Sequence, residues 1–420
     1  MKKQKLTLIF IVLALLVATF SSFAGGQDEA AESRTLVINS NLSDPAPKAA
    51  FAELVEGFKA ENPDIDVTLN SFDHEAYKTA IRNFLASDPP DVCLWFAGNR
   101  MKFFVDEGLF LDISDVWADY DLNDSMSATK SALTVDGKQY GVPWGYYQWG
   151  MFYRKDIFDM YGISEPATWD EFIAAGEKLK ANDITPVAIG TKYLWTAGGW
   201  FDYLNLRVNG LDYHMDLMLG EASYLDPELD EVFDVWADLI DRGFFLKNHA
   251  TYSWQEAQAP LINGEAAMYL IGNFIMPDMD AAGVGDKMGF FQVPQINPAI
   301  GMYEDAPMDT YHIPAGAKNV EEAKLFLAYV ASAEIQAQFA YATGNIPPNK
   351  YAAAPTIPLT KEGFEMLGAA DGLAQFYDRD TNPEMASAGM QGFQEFMVYP
   401  EREDAIRARI EVERKAVFNK

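Results

Sequence analysis

The chain has 420 residues, 49% of them hydrophobic, and its formal net charge is −30. This length and hydrophobic content predict a large core divided over about two domains. Because such an acidic surface repels nucleic acid and anionic lipid, neither is expected as a partner.

The N-terminal segment has the pattern of a signal peptide. Three lysines among the first five residues precede an apolar stretch, Leu6 to Phe20, that is short for a bilayer span, and Ser22 and Ala24 offer a cleavage site. We predict that residues 1–24 are removed and that 25–33 form a flexible tail. The mature chain would be exported, soluble and periplasmic. A retained membrane anchor is the alternative, but no cysteine near the cut could carry a lipid.

Strands and helices alternate in the next segment, with strands predicted at 35–39, 65–69 and 91–96 and helices at 48–60 and 75–87. This order predicts a doubly wound parallel α/β sheet. Ligands of such sheets bind at the carboxyl ends of the strands, which here lie near Asn41, His74 and Asn99. Cys93 lies within the third apolar strand, so we interpret it as a buried structural thiol.

The segment from Gly141 to Asp156 carries the densest group of aromatic residues: Trp144, Tyr146, Tyr147 and Trp149. Pro143 excludes a continuous helix, and the interspersed glycines permit tight bends. From Trp149 onward apolar side chains alternate, which predicts a strand leaving an aromatic loop. Such rings either fill a core or line a pocket, and their place on a loop favours a pocket.

Further along the chain, helices alternate with aromatic loops. Thr168 and Glu171 form the spacing of a capping box at the start of a helix. The helix 227–242 places Trp236 on its apolar face, which predicts a core residue. A loop with glycine-flanked aromatics is predicted at Trp195 and Trp200, with Asp202 close by, and a further aromatic loop is predicted at Trp254. A strand from Ala266 to Ile271 leads into Gly272, Asn273 and Phe274, where the glycine permits a close backbone approach.

In this order the motifs resemble a family, the extracellular solute-binding proteins of family 1, which are the sugar-binding components of ATP-binding-cassette (ABC) importers and include maltose-binding-protein-like members. The segments that carry the resemblance are Asp91–Trp95 with Glu107–Leu109, Gly141–Asp156, Thr168–Phe172, Asn263–Phe274 and Gly344–Pro347.

The resemblance implies a periplasmic-binding-protein-like fold: two doubly wound α/β lobes joined by a hinge that the chain crosses several times. We expect lobe one to comprise 34–140 with 290–331, and lobe two to comprise 141–289 with 332–420. A neutral sugar would bind between the lobes, and the membrane permease subunits of an ABC importer would be the protein partner. The protein is expected to be monomeric, to need no cofactor and to catalyse no reaction.

The candidate ligand residues combine flat rings, which cover the C–H faces of a pyranose, with polar groups that hold its hydroxyls. The predicted aromatic residues are Trp95, Trp144, Tyr146, Tyr147, Trp195, Trp200, Trp254 and Phe274. The predicted polar residues are Asn41, Asp73, His74, Asn99, Gln148, Asp202, Asn273, Asp309 and Asn345. Since only Arg100 and Lys192 add positive charge near these loops, a phosphate or dicarboxylate ligand is disfavoured.

Two alternatives use the same residue types. A secreted glycoside hydrolase would pair aromatics with two carboxylates, but Asp73 and Asp202 would come from opposite lobes. A polyamine-binding protein would use aromatics and Asp through cation–π contacts. No GxSxG, HExxH, P-loop or dinucleotide fingerprint occurs, and the four histidines are scattered, so the sequence predicts no metal site.

Overall fold

The computed structural model describes residues 34–419, so the predicted signal peptide (1–24) and tail (25–33) lie outside the described residues. The strands are β1 (Arg34–Ser40), β2 (Ile65–Ser71), β3 (Val92–Phe96), β4 (Thr134–Val135), β5 (Lys138–Gln139), β6 (Val142–Tyr146), β7 (Trp149–Arg154), β8 (Thr185–Ala188), β9 (Ala266–Gly272), β10 (Met288–Phe291), β11 (Tyr303–Asp305), β12 (Met308–His312) and β13 (Gly372–Ala374).

The helices are α1 (Pro45–Glu61), α2 (His74–Ser87), α3 (Asn99–Asp106), α4 (Ser114–Asp119), α5 (Leu122–Ser125), α6 (Lys155–Tyr161), α7 (Trp169–Lys180), α8 (Trp195–Val208), α9 (Gly210–Met218), α10 (Glu228–Asp241), α11 (Gln258–Asn263), α12 (Met276–Ala281), α13 (Val320–Ala331), α14 (Ala333–Thr343), α15 (Pro358–Ala369), α16 (Tyr377–Asp380), α17 (Pro383–Val398) and α18 (Glu403–Phe418). Short 3₁₀ turns occur at Lys130–Leu133, His249–Thr251, Asn273–Ile275, Gly285–Lys287 and Pro400–Arg402.

The first sheet has five strands in the order β2-β1-β3-β12-β6. β1 pairs in parallel with both β2 and β3, as the alternation of strands and helices predicts, whereas β12 runs antiparallel to β3 and β6. Helix α1 packs its buried face, Phe51, Leu54, Val55 and Phe58, into the core of this lobe. The carboxyl ends of β1 and β3 therefore lie at one edge of the sheet.

The second sheet has four strands in the order β10-β7-β9-β8. β7 is antiparallel to β9 and β10, and β8 is parallel to β9. Every residue of β9 is buried, which accounts for its continuous apolar sequence. Helix α7 begins with the predicted capping box, in which the Thr168 side chain accepts from the Glu171 N–H and Glu171 returns the bond.

Two separate hydrophobic cores define two lobes, and the chain passes between them three times. Trp144 belongs to the first core and Tyr147 to the second; Ala306 belongs to the second and Met308 to the first; Phe339 belongs to the first and Ile346 to the second. A β-bridge between Tyr146 and Ile346 joins the first and the third crossing of the chain. The fold is thus two α/β lobes joined by three crossings of the chain.

The crossings differ in place from the predicted boundaries at 140/141, 289/290 and 331/332. Residues 142–146 form β6 in the first sheet, because they pair with β12. Phe290 and Val293 lie in the second core, and α14 packs on α1 in the first lobe. Periodicity alone could not locate these boundaries, since each lies within or beside a regular element whose pattern is the same in either lobe.

Two local predictions also differ from the structure. The segment from Trp195 to Asp202, predicted as a loop, is the first half of helix α8, and every residue from Thr196 to Val208 is buried. A β-carbon on Gly199 would lie 2.7 Å from the Trp149 ring, so this glycine serves close packing and does not mark a loop. Asn319, which the sequence predicts as a helix cap with Glu322 at the third helical position, precedes α13 without capping it. Its side-chain amide donates instead to Asp91 Oδ2 over 3.0 Å.

Candidate functional site: the cleft between the lobes

A cleft lies between the two lobes, with about 1040 Å³ of atom-free space that is partly open to solvent. The first lobe contributes the segments after β1, after β2 and at the end of β3, which are the strand ends that the topology favours for a ligand. The second lobe contributes the start of β7, the start of α8, the segment after β9 and helix α16. Nine predicted residues line the cleft: Asn41, His74, Trp144, Tyr147, Trp195, Trp254, Phe274, Asp309 and Asn345.

Phe274 is the centre of an aromatic group on the second-lobe side of the cleft. Its ring meets those of Trp254 and Tyr147 nearly at right angles, with centroids 5.1 and 5.2 Å apart. Trp149 and Trp195 complete the group at 6.1 and 6.2 Å. Edge-to-face contacts of this kind hold each ring in a fixed orientation while leaving another face free for a ligand.

Gly272 allows this aromatic group to form. A β-carbon at that position would lie 2.4 Å from the Phe274 ring and 3.0 Å from Tyr147. Any larger residue would therefore displace a ring that lines the cleft. The close approach predicted from the sequence is confirmed, and its partner is the pair of neighbouring aromatic side chains.

Neutral polar groups face the rings from the first lobe. Asn41 and Asn345 are buried, and the Asn345 amide donates to Thr343 Oγ1 over 3.0 Å while its oxygen has no partner among the described residues. Burial, reinforced by Lys78 and Arg379, lowers the pKa of His74 to about 3. His74 is therefore neutral near pH 7 and offers one donor and one acceptor nitrogen.

Both basic side chains of the cleft are ion-paired, and the acidic side chains outnumber them. Lys78 Nζ lies 3.8 Å from Asp378 Oδ2, and Arg379 Nη1 lies 3.1 Å from Asp309 Oδ1. Asp44 and Asp278 add two further carboxylates. Since neither cation is left without an anionic neighbour, the cleft does not offer the concentrated positive charge that a phosphate or dicarboxylate requires.

Arg379 connects the lobes at the floor of the cleft. Its guanidinium donates to the Met308 carbonyl and to Tyr147 Oη, at 3.1 and 3.0 Å, and lies 4.2 Å from the centre of the Phe96 ring. Burial alone would lower the pKa of Arg379, but Tyr147, Asp309 and Asp378 raise it above its ordinary value. The group therefore remains charged although it is buried.

Hydrogen bonds also join the lobes across the cleft. Trp195 Nε1 donates to Glu75 Oε1 over 3.2 Å, and Gln255 Nε2 donates to Asp44 Oδ1 over 3.1 Å. The Asn99 amide donates to the carbonyl of Asp380 over 2.5 Å. These contacts show that the two lobes meet across the cleft in this structure.

Eight predicted residues do not line the cleft, and four of them are in the first lobe or at the crossing. The Asp73 carboxylate caps α2 by accepting from the Ala76 N–H over 2.9 Å. Asn99 joins the lobes as described above. Tyr146 lies at the end of β6, where its backbone bonds to Ile346 and burial raises its pKa to about 12.

Trp95 is also placed outside the cleft, and strand geometry explains why. Its side chain is 2% exposed, its Nε1 donates to the Arg100 carbonyl over 3.2 Å, and the Arg100 guanidinium covers the ring. The adjacent Phe96 lines the cleft instead. Because side chains alternate between the faces of a strand, only one of these two rings can face the ligand.

The remaining four predicted residues are buried in the second lobe. Trp200 packs edge-on against Phe245. One Asp202 oxygen accepts from the Tyr377 N–H over 2.7 Å. The Gln148 amide donates to the Leu359 carbonyl over 2.9 Å, and the Asn273 amide donates to Thr360 Oγ1 over 2.9 Å.

The cleft contains further residues that sequence reasoning missed. Trp149 and Phe96 could have been found, because each is next to a predicted residue at a strand end. Phe376, Asp378 and Arg379 had no such signal, since they lie outside every motif and reach the cleft only through the tertiary fold. Arg379 brings a positive charge and Asp378 a negative charge to the cleft that the sequence did not predict there.

Two features are absent from the described residues. Within residues 34–419, no group of three or more His, Cys, Asp or Glu side chains is arranged to hold a metal ion. Over the same residues, no helix combines the length and apolar character needed to cross a membrane.

Two α/β lobes joined by three crossings, with a ring-lined cleft between them, define a two-lobed solute-binding protein. Comparison with known proteins gives the same class: the sequence profile of the bacterial extracellular solute-binding proteins matches residues 43–337. The chain belongs to this family.

The most informative relatives have related roles. An uncharacterised ABC transporter extracellular-binding protein of Pyrococcus horikoshii is 30% identical over 332 residues, covering 77% of this chain and 74% of the relative. The multiple sugar-binding protein of Streptococcus mutans is 26% identical over 326 residues, covering 75% and 77%. This chain is accordingly a solute-binding protein of the kind that serves ABC importers.

Among solved structures, the bacterial solute receptor AcbH is similar over 92% of this chain and 100% of its own length, with a TM-score of 0.87 and 35% identity. AcbH is described as having an exclusive preference for β-D-galactopyranose. A chitin oligosaccharide binding protein covers 93% of this chain and 100% of its own, with a TM-score of 0.85 and 25% identity.

Proposed function

We propose that the protein captures a neutral pyranose sugar in the cleft between its lobes and delivers it, unchanged, to the permease subunits of an ABC importer. The observation that carries the proposal is the composition of the cleft, in which the rings around Phe274 face neutral polar groups, including His74 and Asn345. Flat rings cover the C–H faces of a pyranose, and the polar groups pair with its hydroxyls.

The charge of the cleft supports a neutral ligand. Lys78 and Arg379 are both ion-paired, so an anionic sugar derivative would have to displace Asp378 or Asp309 from its cation. The receptors that resemble this chain point to the same ligand class, since AcbH prefers a galactopyranose and the S. mutans relative is a multiple sugar-binding protein.

Binding in this site is proposed to proceed by closure of the lobes about their three crossings. A ligand held by both lobes favours the closed form, and the bonds from Trp195 to Glu75 and from Gln255 to Asp44 form only when the lobes meet. The permease would then recognise the closed shape. Export by the predicted signal peptide would bring the mature chain to the periplasm, which an intact mass beginning at Gly25 would verify.

Binding without turnover is the direct test. Purified protein titrated calorimetrically with D-galactose, D-glucose, D-xylose and their common disaccharides should give a 1:1 isotherm with at least one sugar, and chromatography afterwards should recover that sugar unchanged. Product that accumulates in proportion to the protein would favour the hydrolase alternative. The two carboxylates that the sequence suggested for a hydrolase have structural partners, since Asp73 caps a helix and Asp202 accepts from the Tyr377 N–H.

A polyamine is the second candidate ligand, because carboxylates outnumber cations in the cleft and aromatic rings attract ammonium groups. Putrescine and spermidine therefore belong in the same titrations. Tighter binding of either one than of every sugar would replace the sugar proposal.

A further inference from the structure

A second cavity lies between the lobes, borders the cleft at Lys78 and is more open to solvent than the cleft. Its atom-free space of about 1110 Å³ includes open solvent. The first lobe lines it with Trp95, Arg100 and Phe103, and the second lobe lines it with the first turns of α17. Lys78 lines both spaces, whereas Asp378 lines only the cleft and Arg100 only the second cavity. These three charged groups therefore lie where the two spaces adjoin.

These groups form a connected cluster of ion pairs. Arg100 Nη1 lies 3.4 Å from Asp378 Oδ2 and donates to the Asp378 carbonyl over 3.3 Å. Lys78 Nζ lies 3.8 Å from the same carboxylate oxygen and 3.4 Å from Glu75 Oε2. The Lys78, Arg100 and Asp378 side chains are only 14%, 10% and 6% exposed.

Asp378 is ionised near neutral pH. Burial opposes ionisation of Asp378, but Arg100 and Lys78 hold its pKa below its ordinary value. Separating a buried carboxylate from its cations leaves uncompensated charge, which is strongly unfavourable. A ligand could not push the cluster apart without this cost.

Arg100 also covers the ring that would otherwise extend the aromatic surface. Its guanidinium carbon lies 5.2 Å from the centroid of Trp95, and the ring is 2% exposed. Trp95 lies at the edge of the second cavity and would be uncovered if Arg100 were removed. The second cavity thus contains a potential stacking surface that the cluster keeps closed.

We propose that Lys78, Arg100 and Asp378 form a partition that ends the cleft after a single pyranose and so excludes disaccharides. This inference rests on the proposed sugar-binding function and names its substrate class as monosaccharides. A second sugar unit that extended from the cleft toward Trp95 would have to displace these ion-paired side chains.

The test compares the ratio of monosaccharide affinity to disaccharide affinity in the wild type with the same ratio in a variant that lacks the partition. The double variant Arg100→Ala/Asp378→Ala removes both partners together, so neither is left as an unpaired buried charge, and Lys78 retains Glu75. Calorimetric titrations would use D-galactose, D-glucose and D-xylose, with lactose, melibiose, maltose, cellobiose and xylobiose as the disaccharides. The wild-type protein should bind one monosaccharide at least about a hundredfold more tightly than any disaccharide that contains it.

In the double variant this preference should fall by about tenfold or more, through tighter disaccharide binding, even if the monosaccharide itself binds more weakly. Arg82→Ala is the matched control, since Arg82 lines the second cavity but pairs with the half-exposed Glu107 at 2.5 Å outside the partition. The preference of Arg82→Ala for the monosaccharide over the disaccharide should equal that of the wild type.

Melting curves would establish whether the double variant is folded. If it is not, Lys78→Ala removes the shared wall while keeping the Arg100–Asp378 pair, and it should shift the preference in the same direction by a smaller factor. Equal binding of a disaccharide and a monosaccharide by the wild type, or an unchanged preference in a folded partition variant, would overturn the inference and leave sugar binding intact. Absence of wild-type binding to every sugar would overturn the proposed function and this inference together.

Discussion

Replacing Trp254 by alanine should weaken sugar binding with a modest loss of stability. Trp254 lines the cleft and meets the Phe274 ring edge-on at 5.1 Å. Loss of an anchoring aromatic side chain from a binding site costs about 1–3 kcal/mol, which corresponds to a roughly 5- to 150-fold rise in Kd. Calorimetric titration with the tightest-binding sugar would measure the change.

Two other tryptophans supply the matched controls. Trp236 is fully buried among Phe233, Phe393 and Phe396, so Trp236→Ala should cost about 3–5 kcal/mol of stability and leave the Kd of the folded protein nearly unchanged. Trp95→Ala belongs with it, because the structure buries this ring outside the cleft, although the sequence placed it among the ligand residues.

The comparison has a clear contrary result. If Trp254→Ala binds sugar as well as the wild type, the ring does not contact the ligand. If Trp236→Ala raises Kd by the same factor as Trp254→Ala, the distinction between rings of the cleft and rings of the core is mistaken.

Three further predictions concern closure and buried charge. A saturating sugar should lower the radius of gyration measured by solution scattering and change the fluorescence of the cleft tryptophans, whereas an unchanged scattering profile would contradict closure. Gln255→Ala and Glu75→Gln should each raise the apparent Kd for the sugar by about 2- to 10-fold, because each weakens one hydrogen bond that forms only when the lobes meet. Glu384→Gln, which takes part in neither bond, should leave the Kd unchanged. Asp305→Asn should stabilise the protein more at pH 8 than at pH 5. Burial, together with Asp380 and Glu304, raises the pKa of Asp305 well above its ordinary 3.8, so the wild type loses stability as the pH rises above 3.8. An equal gain in stability at both pH values would refute this.

The sequence by itself determined the elements and the family. Periodic apolar residues at Phe51, Leu54, Val55 and Phe58 predicted a helix that packs its buried face into a core, because burial follows the helical repeat. The capping box at Thr168 and the close approach at Gly272 were also found correctly, since each depends on a few neighbouring residues. The ordered motifs then indicated the solute-binding family.

The tertiary structure alone decided which rings and charges reach the ligand. Trp95 and Phe96 are adjacent aromatics on one strand, and only the packing of the sheet determines which of them faces the cleft. The glycines before Trp200 resembled a loop, but the ring of Trp149 packs against Gly199 and the segment becomes a buried helix. Arg379 reaches the cleft from a distant segment through its contacts with Tyr147 in its own lobe and with Met308 in the other. No local pattern encodes such contacts between residues far apart in the chain.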